Sequence, residues 1–336
     1  MRSSENAGTG LALDEASRHM GAIVGQRNSP LSSVSSHSQD FVASFTSESL
    51  PVAGRIVRMG PGSISPILHR HAYPDHLGEV LGEALILATL VGSGMKFDGR
   101  VLTQAEGDGP VTMLVGEYDS DGAVRAYSRF EHERWAYLEK VNKGDKPHMP
   151  QLFGSMGALA LIIIQNKPNA QPYQGIVPLA KGRLAECAED YFRQSEQVET
   201  CLAIAVRKDV AGEWRGTGIM MQRIAGDEAR GDTEEGWREA QALFGTLKRE
   251  ELLSEELSAA DLLYRMFHEG GVRMETPRTL TDRCTCNEDR LVQTLSGMPD
   301  ESLRDMVEPD GTLKVDCQFC ARHYDIPIAS VTGNLN

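Results

Sequence analysis

Four cysteines near the C-terminal end form two close pairs, Cys284-Thr-Cys286 and Cys317-Gln-Phe-Cys320. Zinc takes four ligands at the corners of a tetrahedron, about 2.3 Å from each sulfur. Two cysteines one or two residues apart can supply two of those corners from a single turn of backbone. The intervening residues 287–316 are expected to contain two short helices, which would close the site. The spacing therefore predicts one zinc ion with all four cysteines as its ligands.

The remaining histidine and cysteine candidates are weaker. His323 lies close behind Cys320, but four sulfurs already fill a tetrahedral shell, so we interpret His323 as a surface residue or a support for a ligand. Cys187 and Cys201 stand alone within apolar sequence and are expected to be small buried apolar residues. The predicted metal site thus contains sulfur ligands only.

A zinc–sulfur centre can be purely structural, or it can respond to oxidants. Each close pair can collapse to a local disulfide when an oxidant removes electrons, and a disulfide does not ligate zinc as thiolates do. Zinc binding contributes about 10 to 16 kcal/mol to the folding of small zinc domains, so metal loss is expected to unfold this segment. The small ring closed by Cys284 and Cys286 is expected to be strained, which favours reversibility. These features favour a redox switch over a purely structural zinc site.

Composition and charge restrict the possible partners. The chain has 336 residues with 40% apolar content, and no apolar run approaches the roughly 20 residues that span a bilayer. The net charge is −14, and residues 283–325 hold nine Asp or Glu against five Lys or Arg, which disfavours nucleic acid. Reduced, clustered thiols without a preceding signal peptide fit the cytoplasm. We expect a soluble cytoplasmic protein with neither nucleic-acid nor membrane partners.

The pattern along the chain predicts an α+β protein in four parts. Residues 1–39 contain nine serines and no sustained periodicity, which is typical of a disordered extension. Residues 40–225 read as a mixed α/β core with a sizeable sheet, and residues 226–282 as a helical linker. Residues 283–330 form the small C-terminal zinc domain.

Within the predicted core, hydrophobic periodicity indicates several strands and two helices. Asp75 is the expected N-cap of the first helix, and Asp119-Ser-Asp-Gly122 is expected to form a hairpin turn. The apolar run from Ala158 to Ile164 reads as a strand buried on both faces. Strands are predicted at 55–59, 99–104, 111–118, 123–130, 158–164, 173–179, 201–206 and 217–224, and helices at 76–91 and 184–195.

The predicted linker is strongly charged but keeps an apolar face. Residues 226–256 hold ten Asp or Glu against four Lys or Arg. Helices with so much charge depend on packing against other elements for most of their stability. We therefore expect the linker to dock on the core and to be releasable. The apolar positions are Trp237, Ala240, Phe244 and Leu247, then Leu262, Leu263, Met266 and Phe267.

The cysteine spacing resembles the zinc switch of the bacterial redox-regulated heat-shock holdases, the 33 kDa chaperonin family. The resemblance covers roughly residues 40–328 and departs at 1–39 and 131–150. Further segments similar to that family are Phe97-Asp-Gly99, Gln104 with Gly107-Asp-Gly-Pro110, Tyr173-Gln-Gly175, Leu184 through Glu196, and Leu262-Leu-Tyr-Arg-Met-Phe267.

The resemblance implies an ATP-independent chaperone of the stress response, not an enzyme, which is inactive while the four cysteines hold zinc. It further implies that oxidation pairs Cys284 with Cys286 and Cys317 with Cys320, releases zinc, unfolds the zinc domain and destabilises the linker. The active form would then bind unfolding client proteins and form a homodimer. Trp237 and Phe244 are expected to serve mainly in helix packing.

Two other functions remain as alternatives. A zinc-ribbon nucleic-acid or translation factor would use the same cysteines, but the acidic zinc segment disfavours it. A dithiol oxidoreductase would use Cys317 and Cys320, yet the strand-then-helix setting that activates one thiol is missing there. The segment Gly107-Asp-Gly-Pro110 reads as a turn, because the Lys and Ser or Thr of a phosphate-binding loop do not follow it.

Overall fold

The computed structural model describes residues 40–96, 98–226 and 232–332. The extension predicted at residues 1–39, and Phe97 of one family-like segment, lie outside the described residues. The helices and strands in chain order are β1 (Phe41–Ser47), β2 (Val52–Met59), α1 (Ile64–His69), α2 (Asp75–Gly92), β3 (Gly99–Glu106), β4 (Val111–Asp119), β5 (Ala123–Phe130), α3 (His132–Asn142), α4 (Met149–Phe153), β6 (Ala158–Gln165), β7 (Tyr173–Pro178), α5 (Leu184–Tyr191) continued by a π-helical turn (Phe192–Glu196), β8 (Thr200–Lys208), β9 (Trp214–Arg223), α6 (Glu234–Phe244), α7 (Arg249–Leu252), α8 (Ala259–Phe267), β10 (Val272–Met274), β11 (Arg278–Thr279), β12 (Thr281–Asp282), α9 (Glu288–Ser296), α10 (Asp300–Met306), β13 (Thr312–Asp316), β14 (His323–Pro327) and α11 (Ile328–Thr332).

Two large sheets share α2 as their common packing element, which confirms the predicted α+β class. The first sheet has the order β10-β1-β2-β9-β8, with β11 also paired to β1, and the second has the order β12-β5-β4-β3-β6-β7. Helix α2 is apolar around most of its circumference, as a helix enclosed on several sides must be. Gly116 of β4 lets α2 approach closely, because a Cβ there would lie 2.6 Å from the backbone nitrogen of Leu85.

Several local predictions are confirmed and two are corrected. Gly122 adopts a φ of 95° in the hairpin turn between β4 and β5, as expected. The N-cap of α2 is Pro74 and not Asp75, which instead occupies the first helical turn, where its charge suits the helix dipole. Strand β6 is buried on one face only, since Leu159 and Leu161 are buried whereas its C-terminal isoleucines are partly exposed. An antiparallel sheet tolerates one such open face.

The linker helices α6, α7 and α8 cover the outer face of the first sheet. Trp237 and Phe267 are almost completely buried, with 1% and 2% of their surfaces exposed, whereas Leu247 is partly exposed. The Arg58 and Arg249 side chains also donate hydrogen bonds across this junction, to the carbonyls of Leu257 and Val206. The apolar face predicted from the sequence therefore packs against the core. The sheet residues beneath it include Phe41, Ala43, Phe45, Ile56, Ala205, Ile219 and Met221.

A short strap, residues 278–283, runs from the first sheet to the second and on to the cysteines. Strand β11 pairs with β1 of the first sheet, and β12 pairs in parallel with β5 of the second. Between them Leu280 inserts into the main core and is 1% exposed. The chain entering the cysteine segment is thus built into both sheets.

The C-terminal segment has a small core of its own. Helices α9, α10 and α11 pack on the β13–β14 hairpin. Helices α9 and α10 were expected from the sequence, but the hairpin was not. Among the residues that the structure describes, no helix is both long enough and apolar enough to cross a bilayer. The main core surrounds α2, and a second core lies between the first sheet and the linker helices. The buried residues of this third core are Val292, Leu295, Leu303, Leu313, Ile326 and Val331.

Replacing Trp237 by Ala should undock the linker while leaving the core folded. Truncating a fully buried Trp costs about 3 to 5 kcal/mol through lost burial and a residual cavity. We expect limited proteolysis to cut residues 232–268 faster in this variant. The matched control is Tyr264→Ala on α8, because that side chain is 59% exposed. Equal cleavage of both variants would show that Trp237 does not anchor the linker.

Candidate metal centre

The four cysteines reach one another from two loops. Cys284 and Cys286 follow β12 directly, and Cys317 and Cys320 lie in the turn between β13 and β14, which we call the knuckle (residues 317–320). The hairpin register brings Asp316 opposite His323, so the strands close immediately beyond the knuckle. The amide of Cys317 donates to the carbonyl of Arg322 at 2.9 Å. Strand pairing therefore fixes one half of the cluster.

The spacing of the sulfurs suits a tetrahedral ion. The Sγ atoms of Cys284 and Cys317 are 3.7 Å apart, and those of Cys286 and Cys320 are 3.4 Å apart. All four Sγ atoms lie within 4.8 Å of one another. A zinc–sulfur bond of about 2.3 Å implies sulfurs about 3.8 Å apart in a tetrahedron, and a set of four thiolates is one that zinc prefers. The residues present therefore fit a zinc ion.

The electrostatics of the cluster also call for a cation. Burial raises the pKa of Cys317, and burial together with the neighbouring thiols raises the pKa of Cys320 to about 12. Burial would also raise the pKa of Cys286, but hydrogen bonds with Tyr324, 3.1 Å away, and with the other thiols outweigh it and lower that pKa to about 7. Without a compensating positive charge, the raised pKa values keep the thiols of Cys317 and Cys320 protonated at neutral pH.

The core domain supplies further groups around the cluster. Arg125 of β5 donates from Nη1 to the Sγ of Cys284 at 3.4 Å, and its guanidinium lies 4.2 Å from the centre of the Phe319 ring. His71 Nε2 lies 2.6 Å from the carbonyl oxygen of Gln318. These residues were not predicted from the sequence, because they are distant from the cysteines in the chain and carry no spacing signal.

The other candidates lie outside the cluster. His323 contacts Asp316 at 2.7 Å and Asp325 at 3.1 Å, and these hydrogen bonds raise its pKa. Its side chain is exposed, which agrees with the first of the two roles expected for it, a surface residue. Cys187 is buried as expected, whereas Cys201 is only partly buried, because it lies at the margin between the first sheet and the linker.

Comparison with known proteins identifies the family. The family model described as Hsp33 protein matches residues 40–327. The 33 kDa chaperonin of Caulobacter vibrioides is 42% identical over 291 residues, which cover 85% of this chain and 94% of that protein. The 33 kDa chaperonin of Chromobacterium violaceum is 31% identical over 285 residues, which cover 85% of this chain and 90% of that protein. The crystal structure of the 33 kDa chaperonin from Thermotoga maritima superposes with a TM-score of 0.71 at 25% identity, covering 88% of this chain and 98% of that one. The chain therefore belongs to the Hsp33 family of chaperones.

Proposed function

We propose that this protein is an oxidation-activated, ATP-independent holdase that works in the reducing cytoplasm. In the resting state Cys284, Cys286, Cys317 and Cys320 hold one zinc ion. The observation that carries the proposal is the cluster itself: four thiols from two local pairs lie within 4.8 Å of one another. Holding a client needs an apolar surface and no catalytic residues, so we propose a binding protein and not an enzyme.

The metal site would stabilise a segment whose own core is small. Bound zinc would supply the positive charge that allows all four sulfurs to be thiolates, and it would cross-link the two cysteine loops. The third core contains only a handful of buried side chains, and such small domains commonly require a metal. Loss of the cross-link is therefore expected to unfold residues 283–330.

Oxidation would remove the ligands as neighbouring pairs. One thiolate of Cys284 and Cys286 attacks a peroxide oxygen and forms a sulfenic acid with release of hydroxide, and the second thiolate then displaces the sulfenic hydroxyl to form the disulfide. In forming each disulfide, the two thiolates give two electrons to one peroxide molecule, which takes up two protons and becomes two molecules of water. Cys317 and Cys320 react in the same way. This local pairing is the one that the family resemblance implies, and only one or two residues separate the two cysteines of each pair.

Activation would come from release of the linker. Helices α6 and α8 contribute Trp237, Phe244 and Phe267 to the second core, where they cover an apolar face of the first sheet. Release exposes both surfaces at once, and both suit the apolar segments of unfolding proteins. The packing role predicted for Trp237 and Phe244 then belongs to the resting state, and client binding to the active state. We further propose that the oxidised form is a homodimer, with no nucleic-acid or membrane partner.

Replacing Cys317 by Ser should weaken zinc binding and unfold the C-terminal domain. The variant removes one of four sulfurs, and the lost metal–ligand energy is also folding energy. Zinc content by a chromogenic chelator and protease resistance of residues 283–330 measure the effect. Cys201→Ser is the control, because Cys201 lies outside the cluster. Full zinc affinity and native-like protease resistance in Cys317→Ser would contradict the four-sulfur site.

Mild oxidation should release zinc and create chaperone activity in the same sample. We expect peroxide, under gently destabilising conditions, to release about one zinc per chain as the four ligands become two disulfides. Suppression of thermal aggregation of a model client should rise with zinc release and reverse on reduction. Zinc release without any gain in anti-aggregation activity would mean that the cluster is a structural metal site with no role in activation.

A further inference from the structure

Two core arginines each contact both halves of the cysteine site. Arg70, just after α1, is paired through Nη2 with the carboxylate of Asp282 in β12, and its Nη1 donates to the carbonyl of Phe319 at 2.8 Å. Asp282 leads into the first cysteine loop, and Phe319 belongs to the knuckle. One guanidinium therefore spans the two segments that the cluster joins.

Arg125 makes the same kind of double contact from β5. Its Nη1 donates to the Sγ of Cys284 at 3.4 Å, and its planar group lies 4.2 Å from the centre of the Phe319 ring. Its Nη2 is held by Glu117, 2.7 Å away, which fixes the side chain on the core side. Arginine suits this task because its rigid fork can hydrogen-bond and stack at once. We call Arg70 and Arg125 the arginine latch.

These contacts are sheltered, which distinguishes them from ordinary surface ion pairs. The side chains of Arg70 and Arg125 are 16% and 13% exposed, and those of Asp282 and Glu117 are 17% and 5% exposed. Exposed ion pairs contribute little, but removing one partner from a sheltered, hydrogen-bonded pair leaves a poorly solvated charge. The latch therefore contributes docking free energy between the core and the cysteine segment.

The chemistry of the latch depends on the state of the cysteines. A metal-bound Cys284 thiolate carries negative charge and accepts a charge-assisted hydrogen bond from Arg125. A disulfide sulfur is uncharged and a poor acceptor. The contact of Arg70 with the Phe319 carbonyl also requires the folded knuckle. Oxidation thus removes the Cys284 acceptor of Arg125 and, through unfolding of the knuckle, the Phe319 contacts of both arginines, which leaves Arg70 with Asp282 as its remaining partner on the cysteine segment.

We infer that the arginine latch is how the core senses the state of the cysteine site, an inference that rests on the proposed function. Arg70 holds Asp282, and β12 continues through the buried Leu280 into β11 on β1. Strand β1 also pairs with β10, which directly follows the linker helices. Opening of the latch therefore frees the strap, and with it the C-terminal attachment of the linker. The route is a contiguous set of contacts with a closed and an open arrangement.

Hydrogen exchange of the reduced, zinc-loaded full chain tests the latch. We expect Arg125→Ala and Arg70→Ala to keep their zinc, while amides of residues 281–283 and 317–320 exchange about tenfold faster or more, since each variant loses a sheltered charged contact. Peroxide should also release zinc several-fold faster from both variants. Arg125→Lys should restore the docking only in part, because an ammonium cannot hydrogen-bond and stack together.

Matched controls separate the latch from general stability of the core. Arg100→Ala removes the other arginine that pairs with Glu117, 3.5 Å away. Arg129→Ala removes a second arginine of β5, which hydrogen-bonds to Thr112. Neither belongs to the latch, so both variants should exchange and release zinc like wild type. After full oxidation, the amides of residues 281–283 and 317–320 should exchange at the same rate in Arg125→Ala and in wild type. If Arg125 only stabilised the core, the two exchange rates would still differ.

A variant on the opposite side covers the case in which a core substitution disturbs folding. Phe319→Ala changes no core residue and should speed exchange of the same amides, residues 281–283 and 317–320. The double variant with Arg125→Ala should increase the exchange rate by less than the product of the two single increases, because both residues belong to one contact. Wild-type exchange and zinc release in Arg125→Ala, Arg70→Ala and Phe319→Ala would overturn the latch. If instead these variants show faster amide exchange and zinc release but wild type gains no holdase activity on oxidation, the inference about the latch holds and the proposed function fails.

Discussion

Four thiols crowded within 4.8 Å of one another cannot all become thiolates in a partly buried site unless a cation lies among them. This constraint links metal, redox state and folding in one place. With the cation, the sulfurs join two loops that are separated by residues 287–316. Without it, desolvation keeps the thiols of Cys317 and Cys320 protonated, and the small third core and the contacts with the core domain must hold the segment. In the proposed function, a change in sulfur oxidation state is thereby a change in the stability of the whole C-terminal segment.

In the proposed function, the rest of the molecule would transmit that change because its elements are connected in a particular order. The linker helices place an amphipathic face on the first sheet, and the strap ties the end of the linker to both sheets immediately before Cys284. A strongly charged helix with an apolar face is soluble when free and stable when packed. That dual character is what a releasable cover over an apolar sheet face requires.

Local sequence predicted the elements with strong periodicity or fixed spacing. The long apolar helix α2, the β4–β5 hairpin with Gly122, the linker helices and the grouping of the four cysteines all follow from short-range patterns. The two-residue strands β11 and β12 did not, since they are too short to show a period. The Arg70–Phe319 contact spans 249 residues, and no local pattern encodes such a pairing. Strand β6 was wrongly expected to be buried on both faces, because an apolar run alone does not reveal an open sheet face.

The most direct test of the account is hydrogen exchange in the linker helices, residues 234–267, before and after stoichiometric oxidation of the cysteines. The account predicts that these amides are protected in the reduced zinc-bound protein and lose that protection once both disulfides have formed, while strands β2 and β9 stay protected. Unchanged protection of the linker in the fully oxidised, zinc-free protein would contradict the claim that the cysteine site controls linker docking.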